Sequence, residues 1–201
     1  MSAPKIEASA NVDSSANLGP NVHVWHLAQI RERASIGDSC IIGRGAYIGS
    51  GVSVGENCKI QNYALVYEPA ILERGVFIGP AVVLTNDVYP RAINADGSIK
   101  SGHDWEAVGV TVLEGASIGA RSVCVAPITI GRWAMIGAGS TVVNDVPDYG
   151  LMVGIPARRI GWVGPAGQRL QQTSTREWHC PVTMKRFIEV SPDQIREVTE
   201  K

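Results

Sequence analysis

The fold is decided by stretches such as residues 34–49, ASIGDSCIIGRGAYIG, in which an aliphatic residue returns at every sixth position. The period runs from Val12 to Leu84 and resumes from Val112 to Val142. Its members are Val12, Leu18, Val24, Ile30, Ile36, Ile42, Ile48, Val54, Ile60, Val66, Leu72, Ile78, Leu84, Val112, Ile118, Cys124, Ile130, Ile136 and Val142. Of these nineteen positions only Cys124 is not Val, Ile or Leu, and cysteine is itself often buried.

The positions around each aliphatic residue repeat as well. A small residue usually stands two places before it, as at Ala34, Cys40 and Ala46, and a glycine often follows it. One large and one small inward residue followed by a glycine-permitted bend are typical of a short strand and a turn. Three such units close a triangular coil of eighteen residues, so residues eighteen apart stack in columns. The pattern predicts an all-β fold, a parallel β-helix solenoid over residues 1–160.

Composition excludes several classes of protein. The 201 residues include 18 Lys and Arg against 19 Asp and Glu, a net charge of −1, so a basic patch for nucleic acid is not expected. No stretch approaches the ~18 apolar residues of a spanning helix, so membrane insertion is not expected either. The start, Met1 to Lys5, lacks the basic and apolar regions of a secretory signal, which favours the cytoplasm.

The repeat is interrupted between Leu84 and Val112, because the 28 residues that separate them are not a multiple of six. An excursion is therefore predicted over about residues 85–105. It contains Asn86, Asp87 and Arg91, and it is richer in reactive side chains than the coils. A loop of this length in a compact domain is usually functional or disordered. We expect a lid or site wall that reaches a neighbouring subunit, with a mobile surface flap as the alternative.

A second departure lies at residues 61–68, where polar and aromatic residues replace the glycine turns. Glu68 lies eighteen residues before Asn86, so the two are expected on the same edge of the prism, one coil apart. A carboxylate and an amide would then reach one ligand. His26 lies in the aromatic turn that begins Val24-Trp25, and the alternative for it is a packed surface histidine.

The period and its flanking residues resemble the hexapeptide-repeat acyltransferase family over roughly residues 10–160. The resemblance implies a left-handed parallel β-helix, a homotrimer and acetyl-CoA as co-substrate, with no metal. The segment 154–158, Gly-Ile-Pro-Ala-Arg, resembles the one that closes the helix beside the CoA nucleotide in such enzymes. It implies a CoA site at Gly137, Ala138, Pro156, Arg158 and Arg159. A simple chain exit with solvated arginines is the alternative.

Residues 60–91, together with the Val24–Leu27 turn, look closest to the UDP-2-acetamido-3-amino-2,3-dideoxy-glucuronate N-acetyltransferases, which serve bacterial O-antigen and related polysaccharide synthesis. That likeness implies acetyl transfer from acetyl-CoA to the 3-amino group of a UDP-amino sugar. We expect Asn86 to orient the amine and Glu68 or His26 to assist, with the departing CoA sulfur as another proton acceptor. The residues expected around the sugar nucleotide are Asn62, Tyr67, Asp87 and Arg91.

The chain after Gly161 leaves the repeat and is predicted to be a C-terminal extension, residues 161–201, that caps the open end of the helix. Arg186 to Val190 is expected to pair back as a hairpin, and Ser191-Pro192-Asp193 has the features of a helix start. Cys40 and Cys58 stack where a disulfide is conceivable, although a cytoplasmic setting argues against one.

Three other functions stay open on the sequence. A zinc carbonic anhydrase on the same fold needs three converging histidines, and His23, His26, His103 and His179 lack a suitable spacing. A non-catalytic hexapeptide-repeat assembly protein would not need the polar excursion. The third reading keeps the chemistry but changes the acceptor to a dTDP-3-amino-6-deoxyhexose.

Overall fold

The computed structural model describes residues 2–198. Met1 and the last three residues of the predicted extension lie outside that range. In the described part the repeat forms three parallel sheets, which are the faces A, B and C of a triangular prism. The architecture is the predicted all-β left-handed parallel β-helix.

Each coil contributes one short strand to each face. Face A contains β1 (Lys5–Ile6), β4 (His23–Val24), β7 (Ile41–Ile42), β10 (Lys59–Ile60), β13 (Phe77–Ile78), β16 (Ser117–Ile118), β19 (Met135–Ile136), β21 (Gly150–Gly154) and β22 (Ala157–Trp162). Face B contains β2 (Asn11–Val12), β5 (Gln29–Ile30), β8 (Tyr47–Ile48), β11 (Leu65–Val66), β14 (Val83–Leu84), β17 (Val123–Cys124) and β20 (Thr141–Val142). Face C contains β3 (Asn17–Leu18), β6 (Ser35–Ile36), β9 (Ser53–Val54), β12 (Ile71–Leu72), β15 (Val110–Val112) and β18 (Ile128–Ile130).

The turns between faces form three edges. Edge AB joins face A to face B and holds residues 25–28 and every turn eighteen residues further on; edges BC and CA are defined in the same way. Because neighbouring coils pair in register, as Ile60 does with Ile78, each edge presents vertical columns of side chains. Side chains on one edge thus come from segments that are eighteen residues apart in sequence.

The predicted columns are the core. Ile30, Ile48, Val66 and Leu84 of face B are all fully buried, and the small residues before them line the same interior. The glycines that follow the aliphatic residues are required by the spacing of the coils. A Cβ on Gly79 would lie 2.7 Å from the carbonyl oxygen of Ile118 in the next coil, which is closer than real Cβ contacts.

The excursion leaves the prism on edge BC. It runs from the end of β14 to the start of β15 at Val110, somewhat longer than predicted. The Val108 amide donates to the Asn86 carbonyl over 3.1 Å and closes its neck, and an antiparallel bridge joins Ile93 to Ile99.

The tail folds as a four-stranded antiparallel sheet of β23 (Gln171–Gln172), β24 (Glu177–His179), β25 (Arg186–Ser191) and β26 (Gln194–Glu197). The predicted hairpin is confirmed by the pairing of Trp178 with Phe187. The predicted helix start at Ser191-Pro192-Asp193 is wrong, because these residues form the end of β25 and a turn into β26. Strand pairing buries Ile195 beside Phe187, and this burial outweighs the local capping signal.

Two apolar clusters lie on either side of the predicted boundary at residue 160. The prism core extends to Ala157, and the tail cluster contains Trp162, Leu170, Cys180, Phe187 and Ile195. The two are joined at Tyr149 in the last coil, whose ring meets Phe187 edge-on at 5.4 Å. The division into these two parts stays a prediction.

All four cysteines are free thiols. Cys40 donates to the Gly55 carbonyl over 3.0 Å and Cys58 to the Glu73 carbonyl over 3.1 Å, so both thiols are used in binding coil to coil. Residues 2–198 include no helix long and apolar enough to cross a membrane. Over the same residues, no group of three or more His, Cys, Asp or Glu side chains is placed to hold a metal ion.

Candidate functional site

Edge BC brings the two predicted catalytic residues into one column. Strands β11 and β14 pair with Val66 opposite Leu84, so Glu68 and Asn86 follow at equivalent positions of successive coils. Asn86 is also the residue at which the chain departs into the excursion. The carboxylate and the amide therefore stand at the foot of the loop.

The Glu68 carboxylate is the most informative group on this edge. Its Oε2 atom is buried and has no hydrogen-bond partner among the described residues. It packs against Gly49 of the preceding coil, where a Cβ would collide with it. Leaving a buried acceptor unpaired costs about 1–3 kcal/mol, and such groups in folded proteins usually have a functional reason. The geometry indicates an acceptor held ready for a donor from a ligand.

Two tyrosines flank Glu68 and were not singled out together by the sequence. The rings of Tyr47 and Tyr67 lie 5.2 Å apart at a tilt of 48°. Burial, and then the nearby Glu68 charge, raise the pKa of the Tyr47 hydroxyl, which is therefore a neutral donor at pH 7. Arg31, next to Tyr47, is held by Glu32 through two hydrogen bonds of 3.0 and 2.9 Å. The period of eighteen could have identified Tyr47 from the sequence, because it places Tyr47 on face B directly opposite Leu65, three residues before Glu68.

The excursion encloses a cavity of about 270 Å3 beside this column. The predicted substrate residue Asp87 lines it together with Tyr89, Lys100 and Trp105. The Asp87 carboxylate accepts the Tyr89 amide over 2.8 Å, which fixes the first turn of the loop. Arg91 does not line this cavity; its side chain is exposed and donates to the Pro90 carbonyl.

His26 and Asn62 lie elsewhere, on edge AB. His26 contacts Ser9 through Nδ1 at 3.0 Å and stands 3.7 Å from a Glu7 oxygen through Nε2. The Asn62 side chain accepts the Arg44 amide over 2.9 Å. Six residues of chain separate a turn on this edge from the next turn on edge BC. Within one chain the structure therefore does not bring His26 to Glu68 and Asn86, and its catalytic role stays a prediction.

The second large cavity, about 570 Å3, lies at the C-terminal end of edge BC. Asn144 in its wall continues the column of Glu68 and Asn86, since Cys124 pairs with Val142. Arg158 and Arg159 of β22 line this cavity. The acids Asp145, on edge BC, and Asp193, in the turn between β25 and β26, line it as well. Arg159 is partly used by the tail: it donates to the Pro192 carbonyl, lies 3.4 Å from Asp193 and stacks on Trp162 at 4.0 Å.

The other predicted CoA residues surround the β21–β22 hairpin. The Gly137 amide donates to the Met152 carbonyl over 2.8 Å, and a Cβ there would meet Val153 at 2.8 Å. Ala138 is exposed beside it, and Pro156 is exposed in the hairpin turn. Gly137 and Ala138 lie at the C-terminal end of edge AB and Pro156 lies at the hairpin tip, and none of the three lines the larger cavity.

Two family models match the repeat, one in its N-terminal part and one after the excursion. The family model described as bacterial transferase hexapeptide (six repeats) matches residues 15–50, and the hexapeptide repeat of succinyl-transferase matches residues 109–143. Together with the fold, they support the hexapeptide-repeat transferase family.

Two curated relatives are similar over part of the chain. A dTDP-3-amino-3,6-dideoxy-alpha-D-galactopyranose 3-N-acetyltransferase from Aneurinibacillus thermoaerophilus is 51% identical over 67 residues, which is 33% of this chain and 35% of that protein. Serine acetyltransferase from Escherichia coli is 38% identical over 88 residues, 43% of this chain and 31% of the relative. The chain thus spans about a third of the length of the curated relatives it matches.

A solved structure shares the fold. It is a hexapeptide-repeat-containing acetyltransferase from Vibrio cholerae complexed with acetyl coenzyme A, with a TM-score of 0.51 and 19% identity. The match covers 65% of this chain and 70% of that one. At this identity the likeness concerns the fold.

Proposed function

We propose that this chain is an N-acetyltransferase of the hexapeptide-repeat type. It transfers the acetyl group of acetyl-CoA to the 3-amino group of a nucleotide-linked amino sugar. Three features support the proposal: the geometry of edge BC, the sequence relative that acetylates an amino sugar and the fold neighbour bound to acetyl coenzyme A.

The observation that carries the proposal is the alignment of two sites on edge BC. The unpaired Glu68 carboxylate and Asn86 stand at the excursion, and the cavity lined by Arg158 and Arg159 stands at the C-terminal end. Asn144 in that cavity lies three coils below Glu68, a rise of about 14 Å at ~4.8 Å per coil. An extended thiol arm following the edge would bring a thioester from the cavity to Asn86.

The residues of the cavity suit the nucleotide end of CoA in part. Arg158 is exposed with most of its donors free for phosphate, whereas Arg159 is held by the tail. Asp145 and Asp193 oppose a second phosphate nearby. We therefore assign phosphate binding first to Arg158, by charge-assisted hydrogen bonds.

The reaction needs an unprotonated amine, a held thioester and a place for one proton. The amine nitrogen attacks the thioester carbonyl, the tetrahedral oxyanion collapses, and CoA leaves as the thiolate. Asn86 orients the amine through its amide, and Glu68 accepts an amine hydrogen bond with its free oxygen. The proton goes to Glu68 or to the departing sulfur. Holding both substrates in line supplies much of the rate.

The finer proposal is a UDP-linked 2-acetamido-3-amino-2,3-dideoxy-glucuronic acid as the acceptor, in the cytoplasm and in a homotrimer. It rests on the resemblance of residues 60–91. Arg31 lies near Tyr47 and Lys100 lines the excursion cavity, and these two cations are our candidates for binding a uronate carboxylate. Polysaccharide synthesis would be the setting.

A second candidate acceptor is a dTDP-linked 3-amino-6-deoxyhexose. The relative that is 51% identical over 67 residues acts on such a sugar according to its name. Acids outnumber cations around the excursion cavity, where Asp87, Asp104 and Glu106 face Lys100, and this balance favours an acceptor without a carboxylate.

The test is an acetyl-transfer assay with the full chain against a panel of amino-sugar nucleotides, reading free CoA thiol and product mass. Turnover with the UDP-3-amino uronate supports the finer proposal. Turnover only with dTDP-amino sugars retains the activity and changes the acceptor. No turnover and no acetyl-CoA binding would overturn the proposal in favour of a non-catalytic assembly protein.

Asn86 is tested in the same assay. Asn86→Ala should lower kcat about a hundredfold, as misplacing a reacting group does, with a smaller change in KM. Asn17→Ala, an exposed asparagine on face C, is the matched control and should keep wild-type kcat. An Asn86→Ala variant with full kcat would remove Asn86 from the mechanism.

A further inference from the structure

The three edges differ in charge at the N-terminal end of the prism. In the coils before the excursion, edge BC carries the acids Asp13, Glu32 and Glu68 against Arg31 and Arg33, and edge CA carries Asp38, Glu56 and Glu73 against Arg74. Edge AB carries a single acid, Glu7, against Arg44, and its turns otherwise hold His26 and uncharged residues. Edge AB is therefore the least acidic of the three edges in this half of the molecule, which favours it for a dianionic group.

Glu7 does not cancel that preference, because its carboxylate is already bound by neighbouring side chains. Its carboxylate lies 2.8 Å from Lys5 Nζ and 3.0 Å from His23 Nε2. The Lys5 ammonium, and then His23, hold the pKa of Glu7 down at about 2. The Glu7 carboxylate thus holds the Lys5 and His23 side chains in place.

In the described coils before the excursion, Arg44 is the arginine of edge AB and has no ion pair. It is exposed, and its guanidinium makes no ion pair with any residue from 2 to 198, whereas Arg31 and Arg74 at comparable corners are paired. Its backbone amide is fixed by the Asn62 side chain at 2.9 Å. A planar guanidinium on a rigid corner presents paired donors that match phosphate oxygens.

Trp25 stands one coil above Arg44 on the same edge. Its indole is 41% exposed, and the His23 ring stacks behind it at 4.3 Å with an angle of 24°. His23 is in turn fixed by Glu7. Trp25 is consequently a rigid aromatic platform with a cation about 5 Å further along the prism, the spacing of neighbouring coils.

Face B connects this edge to the catalytic column. From Arg44 the chain reaches the outward-facing Tyr47 after three residues, and Tyr47 packs on Tyr67, the neighbour of Glu68. Six residues separate equivalent turns on the two edges, at most about 20 Å at ~3.3 Å per residue. An extended nucleotide sugar can cover this track with its base at one end and its pyranose at the other.

We propose that Trp25 and Arg44 form the nucleotide subsite of the acceptor: Trp25 stacks on the base and Arg44 binds the diphosphate. This inference rests on the proposed function, since it assigns the nucleotide half of the same acceptor. It places the sugar over Tyr47 and Tyr67, with its amine at Glu68 and Asn86. Acetyl-CoA and the nucleotide then approach the reacting centre from opposite ends of the prism.

The direct test measures binding of UDP and of dTDP to the full chain by calorimetry, without any acetyl transfer. Arg44→Ala should weaken both by about tenfold or more and flatten their salt dependence, because a phosphate contact is lost. Trp25→Ala should weaken them similarly, since base stacking on an aromatic ring is lost, and Trp25→Phe should recover most of the affinity. Arg33→Ala, an exposed and likewise unpaired arginine on edge BC in the described structure, is the control and should bind as wild type.

Steady-state kinetics then separate this site from the rest of the enzyme. In Arg44→Ala the KM for the nucleotide sugar should rise about tenfold, while the KM for acetyl-CoA stays at the wild-type value. Circular dichroism and the melting temperature of each variant confirm that it is folded.

The outcomes distinguish this inference from the proposed function. Nucleotide binding that is unchanged in Arg44→Ala and Trp25→Ala, or lost in Arg33→Ala instead, overturns the subsite while acetyl transfer stands. No binding of either nucleotide to the wild type overturns it as well. Binding that needs Arg44 and Trp25 in a protein that acetylates no amino sugar supports the subsite and overturns the proposed function.

Discussion

Edge CA and edge BC are built from the same eighteen-residue repeat and each holds an ion pair, but the surroundings of Arg74 on edge CA and of Glu68 on edge BC differ. On edge CA, Arg74 lies between Glu56 at 3.2 Å and Glu114 at 3.0 Å, and Asp148 accepts the Arg132 amide two coils further on. On edge BC, Glu68 has a buried oxygen without a partner among the described residues. The carboxylates around Arg74 are paired within the protein, whereas the Glu68 oxygen is left for the ligand that we propose.

The energies explain why both arrangements persist in one molecule. Exposed ion pairs such as those of Arg74 contribute about 0.2–1 kcal/mol each, and an unpaired buried acceptor costs about 1–3 kcal/mol. Burial of one column of aliphatic side chains exceeds either quantity, at roughly 1.5–3 kcal/mol for each side chain. The shared core therefore tolerates an edge that is optimised for binding.

The largest expected effect is on that core. Ile60 is fully buried, and Ile71 is 48% exposed on face C. Ile60→Ala should lower the free energy of unfolding by about 2–5 kcal/mol, because a cavity is left between coils, whereas Ile71→Ala should stay within about 0.5 kcal/mol. Urea unfolding followed by circular dichroism measures both. Equal losses of stability in the two variants would show that face C is covered in solution. Stability data would then not distinguish a core position from a position on face C.

The next prediction sets the two edges directly against each other. Glu68→Gln should lower kcat about a hundredfold, in the range of a lost general base, and should leave the free energy of unfolding unchanged or raised, because an acceptor oxygen without a partner among the described residues is replaced by an amide that can also donate. Glu56→Gln should keep kcat and lose up to about 1 kcal/mol of stability, as its pair with Arg74 is broken. Acetyl-transfer kinetics and urea unfolding of both variants are the measurements. Glu68→Gln should therefore lose kcat without losing stability, and Glu56→Gln should lose stability without losing kcat. A Glu68→Gln enzyme with wild-type kcat would contradict the role of this carboxylate.

A smaller effect is expected for the ion-pair ladder itself. Arg74→Ala removes two contacts, to Glu56 and Glu114, and should cost about 1 kcal/mol at low salt. At 1 M salt the Debye length is about 3 Å, so most of this difference should disappear. The matched control is Arg121→Ala, an exposed arginine on edge AB without an ion pair in the described part of the chain, with little change at either salt concentration. A cost that is independent of salt would mean that Arg74 acts by packing.

The smallest expected effect concerns Glu7 and acid. Its pKa is lowered from an ordinary 4.5 to about 2 by Lys5, His23 and the nearby His26. A lowered carboxyl pKa stabilises the fold above about pH 4.5, and this stabilisation is lost as the pH falls from 4.5 towards 2. Melting temperatures measured across that window should fall less steeply in Glu7→Gln than in the wild type. Lys5→Met should show part of the same effect, and identical slopes in all three proteins would contradict the anchoring role of Glu7.

Column arithmetic from the sequence predicts that Glu68 and Asn86 share one edge of the prism, and the pairing of Val66 with Leu84 confirms this placement. The difference of eighteen between Glu68 and Asn86 fixed their common edge, since a register error of one residue would have turned the aliphatic core outward. The same arithmetic separates His26 from them, because six residues move the chain to the next edge. The same arithmetic places Arg44 on edge AB and Tyr47 on the outer side of face B, but nothing in their local sequence distinguishes them from ordinary surface residues.

Contacts between distant segments could not be read in this way. Arg159 was assigned to a CoA phosphate from its motif, and the structure shows it held by Asp193, 34 residues further along the chain. Ser191-Pro192-Asp193 has the local features of a helix start, but burial of Ile195 beside Phe187 makes the segment a strand and a turn. In both cases a tertiary partner outweighs a local preference.

The sequence by itself determined the prism, its three faces and the order of side chains along each edge, because a strict period of six leaves one arrangement in which every aliphatic residue is buried. Only the tertiary structure decided which charges are paired and which are open. Pairing depends on the reach and direction of side chains from neighbouring coils, and these are set by packing. Within residues 2–198, the Glu68 oxygen without a hydrogen-bond partner and the Arg44 guanidinium without an ion pair are visible only after the coils are stacked.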